Sequence, residues 1–503
     1  MAKSKSVIII GCGIAGPVLA MLLKHKGFDP VIYERHTEIQ NAGLILGVSP
    51  QTLKVLNILG LAEGAISLGH QVQQLITRSQ LTQEILGSRD VSPISQKLGW
   101  PMVLVVKRTL YCQYLYDSAV GRGIPVYFGK KVVGVDESES GDRVSAVFED
   151  GMTAEGDLLV GCDGLHSAVR NALFGKEDPR FMGLVQIGGF SPTPESLRND
   201  SKPTGFQIYG DGAHFIGMPV SDTEMVWATT LPSPNEAKED WQRRSPDETR
   251  DMINGLPVSR WENGVEEVIR GTTFITRYGL YDRPVLDTWH KGRSVLVGDA
   301  AHPTSPHMGQ GANQALEDCY HLVRLLCKSP NLRTSDKLTS NDIETALTQY
   351  EHLRIDIVKK TVALAAEEGN RRVISGKKAC EERDEMLRNG GGSNPERLKL
   401  QMELIQGPSI NLGNPESRHR RAGIIVRAGD NNISTPNGAL NSGSCVYINQ
   451  AYTKNIKKAR LVESRVECQE ESGSLKNRKR IHTLLRILEL ERTQTQCWQC
   501  PKE

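Results

Sequence analysis

Short apolar runs that end in glycine, separated by segments of helical pattern, make up the first part of the chain. Ser6 to Ile10 is a largely apolar, β-branched run, and the segment after it predicts a helix that ends near Gly27. Pro30 to Tyr33 forms a second short run and is followed directly by Glu34. Such runs are typical of parallel strands that are buried on both faces. The pattern therefore predicts a strand, a helix and a second strand in one βαβ unit.

The same apolar pattern returns later in the chain. Met102 to Val106 and Leu158 to Cys162 are predicted strands, and Ser294 to Val297 is another, followed by Gly298-Asp299. Apolar positions from Ile343 to Leu364 recur at helical spacing and predict a long helix. Between about 180 and 288, short strands bounded by turn residues predict a β-rich domain inserted into the first one. Its predicted strands are Leu184 to Ile187, Phe206 to Tyr209, Phe215 to Met218, Met225 to Thr229 and Thr273 to Arg277.

Composition narrows the class of protein without pointing to a macromolecular partner. The 503 residues suffice for two or three domains, and a net charge of +2 gives no sign of nucleic acid or an acidic membrane. Ten cysteines are scattered without a repeating spacing, which favours reduced thiols and a cytoplasmic location. No apolar run approaches the roughly 18 residues of a membrane span. From residue 411 the chain holds 16 Lys and Arg against 9 Asp and Glu, so we expect a poorly ordered tail.

The segment after the first strand carries the first chemical signal, Gly11-Cys12-Gly13-Ile14-Ala15-Gly16. In such a turn Gly11 permits the tight bend, Gly13 lets a pyrophosphate approach the backbone, and Gly16 permits close packing of helix on strand. Glu34 lies 18 residues beyond Gly16, where its carboxylate can accept both hydroxyls of an adenosine ribose. The fingerprint predicts a dinucleotide site and leaves FAD and NAD open.

Two later motifs decide between those cofactors. Leu159 to Arg170 holds Asp163-Gly164 between a predicted strand and helix, and Gly298-Asp299 begins a proline- and glycine-rich stretch that runs through Gly309 to Asn313. Together with the fingerprint, these motifs closely resemble the group A flavoprotein monooxygenases, the para-hydroxybenzoate hydroxylase-like family with its salicylate hydroxylase-type members. The resemblance covers about residues 6–365. It implies an α/β fold, in which a Rossmann-like FAD-binding domain carries an inserted β-sheet substrate domain and C-terminal helices.

The resemblance and the hydrophobic pattern together give the expected domain boundaries. The FAD-binding domain is expected at 1–179 and again at 289–330, around a β-rich substrate domain at 180–288. Closing helices at 331–405 and a basic tail at 406–503 complete the chain. The family usually ends soon after its closing helix, so the tail departs from the family pattern.

The resemblance also implies which residues contact the cofactor. Asp299 is implied to bond the ribityl chain or pyrophosphate side of FAD, and the helix opened by Gly309 to Asn313 is implied to lie beneath the flavin ring. Arg108 and the backbone of Gly47 are implied to contact FAD, and Asp163 to support both FAD and NAD(P)H. The implied cofactor-binding residues are Gly11, Gly13, Gly16, Glu34, Gly47, Arg108, Asp163, Asp299, Gly309, Gly311, Ala312 and Asn313.

The implied reaction belongs to the cofactor. NADPH or NADH reduces FAD, dioxygen adds to give a flavin C4a-hydroperoxide, and the distal oxygen hydroxylates or epoxidises a hydrophobic small molecule. An aromatic, polyketide or alkaloid-type secondary metabolite suits the family. Tyr209 is the candidate catalytic residue, because it could assist a phenol, whereas His302 is expected to hold its loop rather than to act as a base. Other candidate substrate contacts are Gln207, Phe215, Met218, Trp227, His307 and Met308. For each of these residues and for Tyr209, ordinary core packing is the favoured role.

Two alternatives share the FAD motifs. One is another flavoenzyme of this fold, such as a halogenase or a prenyl reductase, although the Trp-x-Trp-x-Ile-Pro stretch expected of a halogenase is absent from the sequence. The other is a non-catalytic flavin-binding protein whose basic tail interacts with a partner. No metal-ligand spacing offers a rival chemistry. The substrate, the choice between NADH and NADPH and the oligomeric state stay open.

Overall fold

The computed structural model describes residues 5–40, 43–199, 201–237, 239–240, 245–328, 339–390 and 395–407. The prediction of a poorly ordered tail from residue 411 lies outside these residues. The strands, in chain order, are β1 (Lys5–Ile10), β2 (Phe28–Tyr33), β3 (Ile45–Val48), β4 (Gly69–Val72), β5 (Gln74–Ser79), β6 (Ile85–Asp90), β7 (Val103–Lys107), β8 (Val126–Tyr127), β9 (Val132–Glu137), β10 (Val144–Phe148), β11 (Thr153–Gly156), β12 (Leu158–Gly161), β13 (Arg180–Pro192), β14 (Thr204–Tyr209), β15 (His214–Pro219), β16 (Glu224–Pro232), β17 (Glu239–Asp240), β18 (Phe274–Asp282), β19 (His290–Lys291) and β20 (Ser294–Leu296). The helices are α1 (Ala15–His25), α2 (Pro50–Ile58), α3 (Ala62–Ser67), α4 (Ser92–Leu98), α5 (Arg108–Val120), α6 (Ala168–Phe174), α7 (Pro246–Asn254), α8 (Val265–Arg270), α9 (Gly311–Leu326), α10 (Ser340–Arg372), α11 (Lys377–Arg388) and α12 (Pro395–Gln406).

The predicted βαβ unit is present at the start of the chain. β1 pairs in parallel with β2 on one side and with β12 on the other, so Ile9 lies between Ile32 and Val160. All three side chains are fully buried, and such burial stabilises the fold by roughly 1.5–3 kcal/mol per residue. α1 and α9 supply much of the core that covers this sheet. The complete strand order is β19-β20-β12-β1-β2-β8.

The second sheet is larger and mostly antiparallel, with strand order β17-β18-β13-β16-β15-β14-β5-β6. The strands predicted between 184 and 277 are all present. However, β5 and β6 join the sheet from residues 74–90, and β14 pairs with β5 in parallel. The sequence analysis did not predict these two strands, since both are short and rich in polar residues. The domain boundaries therefore stay a proposal, to which the sheet topology adds residues 74–90.

One face of the second sheet forms a core with α7 and α8. Phe215 and Trp227 point into this core, and both are 0% exposed, with their rings stacked at a centroid distance of 5.8 Å. Val265 and Ile269 of α8 belong to the same core. Phe215 and Trp227 were candidate substrate contacts, and for both the favoured role of core packing is confirmed.

The predicted long helix is α10, which extends beyond the predicted segment at both ends to 33 residues. It packs against α9 and against the short 3₁₀ helix at Pro306–Met308. Leu347 and Tyr350 are fully buried in the core of the first sheet. Within the described ranges, no helix combines the length and apolar character needed to cross a membrane.

Candidate active site

The glycine turn after β1 has a shape that only glycine allows. Gly11 has a φ of +106°, and a Cβ there would lie 2.4 Å from the carbonyl oxygen of Cys162. A Cβ on Gly16 would lie 2.0 Å from the carbonyl oxygen of Gly11. Gly13 differs, since it is exposed and a Cβ added to it would meet nothing within 4 Å. Gly11 and Gly16 therefore fix the turn, whereas Gly13 borders open space into which a ligand could fit.

Glu34 lies directly beside this turn, at the end of β2. Its Oε2 accepts a hydrogen bond of 2.7 Å from the backbone N–H of Cys12, and its Oε1 accepts one of 3.0 Å from the N–H of His36. The N-terminus of α1 carries no side-chain cap. Uncapped N–H groups and the helix dipole favour an anion at this end. The arrangement thus suits a pyrophosphate beside Gly13, with the Glu34 carboxylate within the same site.

Asp163 bonds groups at the start of α6 within the protein itself. Its Oδ2 accepts from the backbone N–H groups of Ala168 and Val169 at 2.7 and 3.1 Å, and its Oδ1 accepts from the Ser167 hydroxyl at 2.6 Å. Burial raises the pKa of Asp163 despite these donors. The carboxylate therefore holds the N-terminus of α6, and a direct bond to FAD or NAD(P)H stays a prediction.

Asn313 joins two segments that lie far apart in the sequence, residues 47–52 and Gly309. Its Nδ2 donates to the carbonyl oxygens of Gly47 at 2.8 Å and Gly309 at 2.7 Å. Its Oδ1 accepts from the backbone N–H and hydroxyl of Ser49 and from the hydroxyl of Thr52. Because its amide is 2% exposed and bonded on both sides, Asn313 positions the loops rather than offering its side chain to a ligand. Gly47 and Gly309, two predicted cofactor contacts, are thereby brought together.

Asp299 projects from a turn whose neighbours are buried. Gly298 and Ala300 are buried, whereas Asp299 is exposed. The carboxylate lies near the start of α9, since a Cβ on Gly311 would be 3.7 Å from Asp299 Oδ1. Gly311 and Ala312 are half-buried, and no side chain caps this helix end. The exposed carboxylate and the uncapped N–H groups match the predicted contacts with the polar chain and ring of a flavin.

A buried ionic network holds that turn from beneath. Asp318 Oδ2 bonds His302 Nε2 at 2.6 Å and the backbone N–H of Gly298 at 3.0 Å, and Asp318 Oδ1 accepts from Arg354 at 2.7 Å. Burial alone would raise the pKa of Asp318, but His302 and Arg354 lower it to about 2. His302 is 1% exposed. The expectation that His302 holds its loop is therefore confirmed.

Arg108 lies beside the same loops, at the first residue of α5. The strand before it, β7, pairs with β3, and Gly47 lies opposite Val105. The Arg108 side chain packs over Gly43, where a Cβ would lie 2.6 Å from its Cδ. Its backbone N–H donates to the Leu44 carbonyl, three residues before Gly47, and its contact with a cofactor stays a prediction.

Tyr209 lies in β14 and is 1% exposed, with its hydroxyl donating to Glu368 Oε1 at 2.7 Å. Burial and the Glu368 carboxylate raise the pKa of Tyr209. This bond ties the second sheet to α10, and a catalytic role for the phenol stays a prediction. His307 is also buried, and Arg372 of α10 donates to its carbonyl oxygen at 3.0 Å, whereas Met308 is half-buried.

Sequence reasoning missed the residues that position the loops. Ser49 and Thr52 follow Gly47 in the sequence. Their hydroxyls did not indicate a positioning role, because serine and threonine are common throughout any sequence. Asp318 lies only five residues beyond Asn313, but its partner Arg354 lies 36 residues further on, in the middle of α10. Only the packing of α10 on α9 brings Arg354 to Asp318, so the sequence held no sign of the pair.

Open space borders Gly13, Gly47 and Gly309, so a ligand can approach each of them, and comparisons with known proteins identify this ligand as FAD. The FAD binding domain family matches residues 4–365. The chain is 32% identical over 356 residues to 3-amino-4-hydroxybenzoate 2-monooxygenase of Streptomyces cremeus, covering 69% of this chain and 83% of that protein. It is 29% identical over 369 residues to 6-hydroxynicotinate 3-monooxygenase of Pseudomonas fluorescens, covering 72% and 90%.

Solved structures of similar fold include HpxO of Klebsiella pneumoniae complexed with FAD and uric acid. The two chains are 26% identical with a TM-score of 0.68, over 81% of this chain and 98% of that one. A salicylate hydroxylase substrate complex shares the fold at 21% identity and a TM-score of 0.62, over 81% and 98% of the two chains.

Proposed function

The chain belongs to the FAD binding domain family of FAD-dependent monooxygenases, and on this premise we propose that it hydroxylates or epoxidises a hydrophobic small molecule with NAD(P)H and dioxygen. Membership confirms the resemblance to group A monooxygenases, the α/β fold and FAD as the cofactor. The relatives are enzymes, which disfavours a non-catalytic flavin-binding protein. The oxygen-transfer route expected from the resemblance is part of the proposal.

Residues of four segments would hold FAD. The open space at Gly13 and the N-terminus of α1 would take the pyrophosphate, and Glu34 the adenosine ribose. Asp299 would bond the ribityl side, and the N-terminus of α9 would face the flavin ring. When bound there, FAD supplies the redox chemistry and the reaction with dioxygen. The protein's part is to hold the ring, stabilise negative charge on it and exclude water.

The observation that carries the proposed substrate position is that both flavin-side loops, the segments 44–47 and 307–309, lie at one face of the second sheet. Leu44, in the loop before Gly47, packs over Gly188 of β13, where a Cβ would lie 2.8 Å from Leu44 Cδ1. His307, in the loop before Gly309, and Leu184 of the same strand pack against the same point of α10, Gly369. A substrate between this face and the loops would lie next to the flavin, as oxygen transfer requires.

The chemical class of substrate is argued from the relatives and from the site. Relatives are named for acting on an aminohydroxybenzoate, a hydroxynicotinate and urate. A zeaxanthin epoxidase of Oncidium is 29% identical. An aromatic or other unsaturated ring is therefore the proposed target, within a secondary metabolite of aromatic, polyketide or alkaloid type. A partner other than this small molecule is not proposed.

The test combines flavin content with isotope incorporation. Purified protein is expected to carry FAD, to oxidise NADPH or NADH faster when substrate is added, and to place one ¹⁸O atom from labelled dioxygen into the product. Asp299→Ala should weaken FAD retention. Substrate oxidation without ¹⁸O in the product would favour another flavoenzyme of this fold, and protein without FAD that is unaffected by Asp299→Ala would overturn the proposal.

A further inference from the structure

The face of the second sheet that meets the flavin-side loops, here called the open face, consists of rows of side chains that cross the strands. Residues directly opposite each other on neighbouring strands share a face. The row nearest α10, here called the polar row, is mostly buried. The next row, here called the middle row, consists mainly of smaller side chains. The polar row contains Ser79, Tyr209, His214, Thr230, Gln186 and Tyr278. The middle row contains Thr77, Gln207, Ile216, Ala228, Gly188 and Thr276.

The two rows differ in access. In the polar row Ser79, Tyr209, His214 and Thr230 are at most 1% exposed. In the middle row Thr77, Gln207, Ile216 and Ala228 are half-buried, and they are neighbours on consecutive strands. This contiguous patch is the accessible part of the open face. Gln207 carries its only carboxamide.

The Gln207 carboxamide is held at both ends. Its Nε2 donates to the Thr77 hydroxyl at 3.0 Å, and its Oε1 lies 3.2 Å from His214 Nε2. Burial, with Arg372, His307 and Arg383 nearby, lowers the pKa of His214 well below its usual value, so the ring is neutral and carries one N–H. His214 Nδ1 has no partner among the described residues. An unpaired buried N–H costs more than an unpaired lone pair, so the proton belongs on Nε2, facing Gln207.

This fixation leaves a defined pair of groups for a ligand. A carboxamide has two N–H donors and two acceptor lone pairs, and Thr77 and His214 use one of each. One N–H and one lone pair of Gln207 therefore remain for a ligand on the accessible patch, and because Thr77 and His214 lie on the two strands that flank β14, this remaining pair lies between them. Interchanging the two amide atoms would leave the same pair, since each end is held by one bond.

We propose that Gln207 is the residue that selects the substrate, and that it binds the adjacent N–H and C=O of a cyclic amide, or the hydroxy-heteroaromatic tautomer of one. The inference rests on the proposed function and names the substrate class of that site. A flat ring would lie over Ile216 and Ala228, with its amide edge against Gln207. The middle row contains no Lys or Arg, and the two arginines near His214 bond other groups, Arg372 the His307 carbonyl and Arg383 the Asp384 carboxylate. Carboxylates are bound best by paired, charge-assisted bonds from Arg. The site therefore favours an uncharged lactam over a benzoate.

The experiment measures binding rather than turnover. The probes are 2-quinolone, N-methyl-2-quinolone, which lacks the N–H, and 2-naphthoate, which has a carboxylate on a similar ring system. Dissociation constants are measured by calorimetry on the FAD-loaded wild type. We expect 2-quinolone to bind about tenfold or more tightly than either other probe, because each of those probes leaves a buried polar group of the site unpaired. A wild type that binds no probe, or binds the three equally, overturns the assignment.

Two variants connect that preference with the carboxamide. Gln207→Leu is expected to bring the three constants within about twofold of one another, whereas Gln74→Leu should keep the wild-type preference. Gln74 is a matched control because it lies on β5 with its side chain on the opposite face, bonded to Ser88 at 2.9 Å. A preference that survives Gln207→Leu overturns the assignment, provided that Tm and FAD content show a folded protein.

A third variant tests the fixation itself. Thr77→Val removes one of the two bonds that hold the amide, so the preference should fall about threefold without vanishing. Failure of the proposed function would look different from failure of this inference. Lack of FAD or of ¹⁸O incorporation would overturn the monooxygenase, whereas the order of the three dissociation constants would judge Gln207 alone.

Discussion

The glycine turn at the start of the chain and the open face of the second sheet would contact their ligands in different ways. In the turn, backbone atoms would bind the ligand, and Gly11 and Gly16 must be glycine because a Cβ at either position would lie within 2.4 Å of a carbonyl oxygen. On the open face, side chains from separate strands would bind the ligand, and Gln207 and Thr77 lie 130 residues apart in the sequence. Substitutions in the turn should therefore damage fold and cofactor binding, and substitutions on the open face should change substrate preference.

The largest effect is expected from Gly16→Ala, compared with Gly13→Ala. The Cβ on residue 16 would lie 2.0 Å from the Gly11 carbonyl, so helix α1 could not pack and little folded protein should remain. Gly13→Ala should change the free energy of unfolding of the FAD-free protein by less than about 1 kcal/mol, yet weaken FAD about tenfold or more by filling the ligand's space. Thermal unfolding and FAD titration measure the two effects. Equal FAD affinity of Gly13→Ala and the wild type would contradict the assigned pyrophosphate position.

The next largest effect concerns the buried network beneath Asp299. Asp318→Asn removes the charged partner of Arg354 Nε and of His302, leaves Arg354 with Glu317 as its charged partner, and should lower the free energy of unfolding by about 3 kcal/mol. The pKa of Asp318 is depressed, so its stabilisation is present above about pH 4 and lost as the pH falls through about 2. Urea unfolding at several pH values should show a difference between wild type and variant that shrinks in this window. A difference that stays constant from pH 5 to 2 would contradict the depressed pKa.

The glycine turn and the open face also differ in how far the sequence could predict them. The fingerprint, Asp163-Gly164 and Gly298-Asp299 are each contiguous, and a strand followed by a turn places such residues without knowledge of the remaining fold. FAD, the parallel sheet and the long helix were therefore predictable. The pairing of β14 with β5 was not, because β5 is a short polar strand from another part of the chain. Without that register, Thr77 could not be connected with Gln207.

The same reasoning explains why the roles of some site residues stayed open. Phe215 and Trp227 alternate with His214 and Ala228 along their strands, because successive side chains of a strand point to opposite faces of the sheet. One set of side chains lies in the core and the other lies outside it. The sequence could not say which face α7 and α8 would cover. Asp163 was predicted as a cofactor contact from the motif alone, whereas its bonds to the start of α6 became visible only with the backbone in place.

An intermediate effect is expected from Asn313→Ala, which separates the two flavin-side loops. The variant loses bonds to Gly47, Gly309, Ser49 and Thr52 and should lower the free energy of unfolding by about 2–3 kcal/mol. FAD binding should weaken too, because the loops on either side of the flavin are no longer held together. Thr52→Val removes a single donor and should cost only about 1 kcal/mol. Urea unfolding and FAD titration of both variants test this order, and a Thr52→Val loss as large as that of Asn313→Ala would contradict it.

The smallest effect is expected from Tyr209→Phe, which asks whether the buried row of the open face takes part in the reaction. The phenol is 1% exposed, and its raised pKa keeps the proton on the oxygen, where it donates to Glu368. Removing that donor should lower the free energy of unfolding by about 1 kcal/mol, since the Glu368 carboxylate keeps its bond to Arg371. The measurement is kcat for substrate-dependent NAD(P)H oxidation beside urea unfolding of the same preparation. A tenfold or greater fall in kcat with FAD content retained would establish the predicted catalytic role of Tyr209, and would extend the functional part of the open face from its middle row to its buried one.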